Sequence, residues 1–148
     1  MKKSIPFILL LVSLMAGCST GEENHTSGPT IEQYSWQMTS VQSMEAEGQA
    51  IAYGPKGTST LDTAVEIILT CSAEGGEFIL SDETNEKTYS GVYELNDTSQ
   101  ESLIYEITVG ETEGMAVVSM TTYHDDSKIP TLIINLGDYA LNFFADIE

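Results

Sequence analysis

Cysteine and histidine, the side chains most often given nucleophilic or proton-transfer work, occur only twice each in the 148 residues. Cys18 follows an apolar stretch, residues 5–15, broken only by Pro6 and Ser13, with Lys2 and Lys3 ahead of it and small Ala16 and Gly17 just before it. That is the layout of a secretory signal peptide, and the stretch is too short for a spanning helix of about 20 apolar residues. A plain cleavage site needs small residues but no thiol, and here Cys18 directly follows them. Cys71 lies within an apolar alternation and is expected to be an unreactive core thiol. His25 falls in a polar segment, and His124 begins the turn-like run His124-Asp125-Asp126-Ser127. That run has too few ligands at the wrong spacing for a zinc or EF-hand site, and no nucleophile, base and orienting group assemble around His124. The chain is therefore expected to be non-catalytic, without metal or cofactor.

The segment Leu14-Met15-Ala16-Gly17-Cys18 resembles the lipobox of bacterial lipoproteins. The resemblance implies cleavage before Cys18 and acylation of its thiol, and it divides the chain into a signal peptide (1–17), a flexible tether (18–30) and one domain (31–148). The membrane partner would be reached through covalent lipid, since two or more acyl chains hold firmly at about 0.8 kcal/mol per buried CH₂. The expected location is extracytoplasmic, at the cell membrane or, in a host with two membranes, the outer one. Ser19 stands where an aspartate would signal inner-membrane retention.

Charge excludes some partners. The residues after Cys18 keep all 23 acidic side chains against Lys56, Lys87 and Lys128, with no arginine. Nothing there neutralises phosphates, so nucleic acid is excluded as a partner, and anionic headgroups would repel the surface. With Cys18 acylated, Cys71 has no intrachain disulfide partner.

The domain that must position any site reads as strands. Tyr34 to Met38 alternates large and polar side chains, and residues 48–60 form a long Gly- and Pro-containing connection. Short alternating runs follow. Val65, Ile67, Leu69 and Cys71 share a face, and Ala73-Glu74-Gly75-Gly76 turns the chain into Phe78-Ile79-Leu80. After a polar turn at 81–86, Tyr89, Gly91, Tyr93 and Leu95 align, then a turn at 96–101 leads to Leu103, Tyr105, Ile107 and Val109. Residues 110–114 turn again. Residues 115–123 begin apolar on both faces and leave their inward side open, and Leu132, Ile134 and Leu136 precede a Gly137-Asp138 hairpin into Tyr139, Leu141 and Phe143. About eight strands joined by tight turns, with no amphipathic helix, predict an all-β, eight-stranded antiparallel up-and-down meander barrel. A two-sheet β-sandwich is the alternative.

Trp36 on the first strand, followed by a meander with Gly91 and Tyr93 mid-barrel, is similar to the lipocalin-like, or calycin, small lipoproteins of bacteria. The resemblance implies a barrel whose interior holds a small apolar or amphipathic ligand. The inward candidates are Trp36, Met38, Phe78, Tyr89, Tyr93, Tyr105, Tyr139 and Phe143, an aromatic lining with tyrosine hydroxyls as polar handles. The same residues could instead fill the barrel. The acidic exterior of a monomeric domain would then engage a cationic protein partner.

Overall fold

The computed structural model describes residues 28–43, 53–54, 65–99 and 101–147. Cys18, the lipobox, His25 and most of the 48–60 connection lie outside them. A 3-10 turn (Ile31–Gln33) precedes ten strands: β1 (Trp36–Ser43), β2 (Tyr53–Gly54), β3 (Val65–Glu66), β4 (Leu69–Glu74), β5 (Glu77–Asp82), β6 (Lys87–Thr98), β7 (Ser102–Val109), β8 (Thr112–Thr122), β9 (Lys128–Leu136) and β10 (Tyr139–Ala145).

Tight turns dictate the topology. Gly75 and Gly76 both take positive φ (61° and 88°), the backbone a two-residue hairpin needs for its twist to match its strands. They close β4 onto β5 with Glu74 opposite Glu77. Two-residue turns likewise join β7 to β8 at Gly110-Glu111 and β9 to β10 at Gly137-Asp138. Each strand from β4 to β10 thus pairs antiparallel with the next, and β1 pairs with both β4 and β10. The sheet is a closed eight-stranded up-and-down barrel, with β2 and β3 as an appendage, and the β1–β10 ladder rules out the two-sheet sandwich.

Closure is uneven, and this shapes the interior. β1 meets β4 only through Trp36↔Cys71 and Gln37↔Thr70. Nearer its other end, Val41 pairs with Tyr53 of β2 instead, so β1 and β4 part company toward the end where β4 begins. The barrel is narrow where the chain enters and wide at the opposite end.

The narrow end is solid. Trp36, Leu132, Ile134, Ala116 and Val118 are wholly buried there and mid-barrel, together with Phe78 and Phe143. Ile31, buried in the 3-10 turn, plugs the floor: the Trp36 indole N–H donates to its carbonyl at 2.8 Å, and its own N–H donates to the Tyr105 hydroxyl at 3.3 Å. Tyr34 meets the Trp36 ring edge-on, as Tyr93 meets Tyr105. Glu32 accepts from the Gly75 N–H at 3.1 Å and from the Tyr93 hydroxyl, which ties the plug to the β4–β5 turn. The described core spans Ile31 to Ala145 and every described strand pairs within that range, so residues 28–148 hold all the contacts of the described fold.

Gly91 is fixed by close approach. It sits opposite Phe78, and a Cβ there would fall 2.4 Å from the Phe78 ring and 2.7 Å from the Thr108 carbonyl oxygen. The ring has taken the space a side chain would fill. Gly91→Ala is therefore expected to cost about 2 kcal/mol by overpacking, read as a lower urea midpoint with unchanged slope. An unchanged midpoint would mean that Phe78 has room to swing away.

Two expectations shift in detail. β6 does not end at Leu95 but runs to Thr98, because a bulge between Leu95 and Asp97 resets its alternation and hides its continuation among polar residues. The inward side of β8 is Ala116 and Val118, both fully buried, while Met115 faces solvent.

Candidate ligand site

At the wide end the barrel interior is hollow. A cavity of about 500 Å³, open to solvent, falls within the range of small-molecule sites. Its described wall is aliphatic: Val41 from β1, Ile67 just before β4 and Leu69 at its start, Leu80 from β5, Val109 from β7, Leu136 from β9 and Leu141 from β10. These are the inward positions nearest the turns at this end of their strands. Tyr89 and Tyr139, about half exposed, stand at its mouth.

Among the described residues, one charged side chain shares this wall. Asp82 follows Phe78 and Leu80 on the inward face of β5 and is only 5% exposed. Its carboxylate accepts the Asn85 backbone N–H at 3.0 Å on one oxygen and the Asn85 side-chain amide at 2.8 Å on the other. The Ile68 N–H donates to Thr84 Oγ1 at 2.9 Å and the Glu83 N–H to the Ile68 carbonyl at 2.9 Å, which clamp the β5–β6 turn against the entry to β4.

The eight aromatic and methionine positions expected to line a ligand site separate into two groups. Tyr89 and Tyr139 border the cavity. Trp36, Met38, Phe78, Tyr105 and Phe143 are buried and Tyr93 half-buried in the packed end, where they fill the barrel. The described wall of this cavity is mainly aliphatic, with Tyr89 and Tyr139 at its mouth. Aromatic rings plug the narrow floor because they fill more volume per residue, and branched aliphatics pave the wider end. Asp82 escaped sequence reading because residues 81–86 look like one polar turn, whereas β5 extends through Asp82 before turning.

Two further reactive side chains among the described residues lie away from this cavity. Cys71 is 2% exposed, and burial pushes its thiol from 9.0 up to about 12, which removes it as a nucleophile. His124 is exposed in the β8–β9 turn, where the Asp125 carboxylate accepts from Ser127 Oγ at 2.6 Å and from the Ser127 N–H at 3.1 Å. Those hydrogen bonds hold the Asp125 carboxyl below its usual range. No group of three or more His, Cys, Asp or Glu side chains suited to a metal ion occurs among the described residues.

Alkaline pH should loosen the packed end. Burial, then the hydrogen bond to Glu32, raises the Tyr93 hydroxyl to about 12 from 10.0, and burial raises that of Tyr105. Raised acids such as these and Cys71 favour the folded state while protonated; the unfolded chain releases their protons first, from about pH 9 for Cys71 and pH 10 for the tyrosines. Their contribution is complete below pH 9 and lost as pH climbs to about 12. The urea midpoint should stay level from pH 7 to 9 and then fall, less steeply in Tyr93→Phe. A midpoint level through pH 12 would contradict this placement.

No family model, curated protein or solved structure matches the chain.

Proposed function

We propose that the protein is a lipid-anchored extracytoplasmic lipoprotein, akin to the lipocalin-like (calycin) barrels, whose open end binds a small apolar or amphipathic ligand without transforming it. The observation that carries this reading is the aliphatic cavity of about 500 Å³ at one end of an otherwise solid barrel. A core filled to native density leaves few voids larger than a water molecule, so a hollow of this size is kept open at a cost in packing. Bound apolar chain would recover those contacts.

The anchor fits the same geometry. The first described residues, 28–35, lead into β1 at the plugged end, so a tether from Cys18 joins the barrel opposite the mouth.

Two experiments test the reading. Residues 28–148 should enhance the fluorescence of the neutral apolar probe N-phenyl-1-naphthylamine saturably, at one site per chain. The full chain should incorporate labelled palmitate in its host, and Cys18→Ser should not. Absence of saturable enhancement would remove the ligand site, and label persisting in Cys18→Ser would remove the anchor.

A further inference from the structure

We infer that the ligand is an aliphatic amphiphile with a cationic, ammonium-type head, and that the site discriminates against fatty acids. This inference rests on the cavity being the ligand site. Among the described residues that wall the cavity, Asp82 is the one carrying a formal charge, and it is nine-tenths buried beside Leu69, Leu80 and Tyr89. A carboxylate in apolar surroundings is tolerated when its oxygens are paired. Asn85 supplies one hydrogen bond to each oxygen, which leaves further acceptor capacity on both. Asp82 faces inward through the alternation it shares with Phe78 and Leu80, and both of its hydrogen bonds come from Asn85 in the β5–β6 turn. A ligand head with N–H groups or positive charge would complete the oxygens' hydrogen bonding, whereas a carboxylate head would bring like charge against like inside a low-dielectric pocket.

The rim carries the same sign. The three described turns that frame the mouth expose Glu83, Glu86, Glu111 and Asp138. Lys87 is the described cation at this end; it is exposed and lies opposite Asp82 in the β5–β6 ladder. Lys128 stands at the other end of the barrel, at the start of β9. A cleft edged by carboxylates with low-dielectric walls concentrates cations and repels anions on approach. Lys87 opposes that field, so its removal should sharpen the preference for a cation.

The test displaces N-phenyl-1-naphthylamine from residues 28–148 with three ten-carbon competitors below their micellar concentrations: decylammonium, decanol and decanoate. Each is titrated at neutral pH in 0.5 M NaCl, where charges at the rim are screened and the buried carboxylate is not. Decylammonium is expected to displace the probe at a tenth or less of the decanoate concentration, with decanol between them. Asp82→Asn, checked for its fold by circular dichroism, should bring the two ionic competitors within threefold of each other, and Lys87→Gln should widen their separation when the titration is repeated in 0.05 M NaCl, where exposed charges still act. Should Asp82→Asn not fold, the wild-type ratio and its change in Lys87→Gln decide the matter. Decanoate matching or surpassing decylammonium would overturn the head-group assignment while leaving the ligand site standing, as would an undiminished preference in folded Asp82→Asn. Failure of the neutral probe to bind at all would instead remove the site on which the assignment rests.

Discussion

Leu80→Trp combined with Leu136→Trp should abolish uptake of the neutral probe while leaving the barrel folded. β5 and β9 lie diametrically across the barrel, four strands apart in either direction around the closed ladder, and both leucines wall the cavity. An indole from each side projects into existing space, so the overpacking penalty of about 1–3 kcal/mol that a filled core exacts does not apply. The apolar area the probe would cover is instead covered by the protein itself. Probe affinity should fall at least about 30-fold, roughly 2 kcal/mol, with stability within about 1 kcal/mol of wild type. Fluorescence titration and urea unfolding of the same samples read both quantities. Undiminished binding would place the probe elsewhere on the molecule.

Trp36→Ala should do the reverse. Its side chain is completely buried, donates to the Ile31 carbonyl at 2.8 Å and packs edge-on with Tyr34. Truncation removes a large aromatic surface, leaves a void that the surrounding closed ladder resists collapsing, and orphans the carbonyl of the plug. The expected loss is about 4 kcal/mol, a large share of the roughly 5–15 kcal/mol by which single domains are stable. Probe affinity, measured at low temperature on the folded fraction, should stay within about threefold, because Trp36 does not wall the cavity. A loss below about 1 kcal/mol would mean that the floor is not held by this residue, and a parallel collapse of probe binding would show that the two ends are not independent.

The meander could be read from the chain because its alternation and its turns agree. Leu103, Tyr105 and Ile107 repeat at a period of two and are all buried, and Gly75-Gly76 sits where a tight hairpin requires it. Where the two signals part, reading failed. On β8, Met115 to Val118 is apolar on both faces, and only cross-strand partners decide: Ala116 lies opposite Tyr105 and Ile134, both buried. On β6 the bulge at Leu95–Asp97 breaks the period, so its last residues pass for a turn.

The site was less legible than the fold. Alternation tells which face is inward but not how wide the barrel is at a given height, and width is set by β1 leaving β4 after two residue pairs. Aromatic residues were therefore expected in the lining when they fill the floor, and the leucines and valines of the wall read as ordinary core. Asp82 defied the pattern altogether. An inward carboxylate breaks the alternation that marks a strand, so residues 81–86 read as one polar turn although β5 runs through Asp82.

Native mass spectrometry of residues 28–148, produced in the cell envelope of its own host and purified without detergent or denaturant, tests most directly whether the barrel carries a ligand. The expected result is a population heavier than the polypeptide by one small molecule, which organic extraction releases and which Leu80→Trp with Leu136→Trp lacks. A bare polypeptide mass, together with no saturable uptake of the neutral probe, would contradict ligand binding and leave the acidic exterior as the surface through which the protein acts.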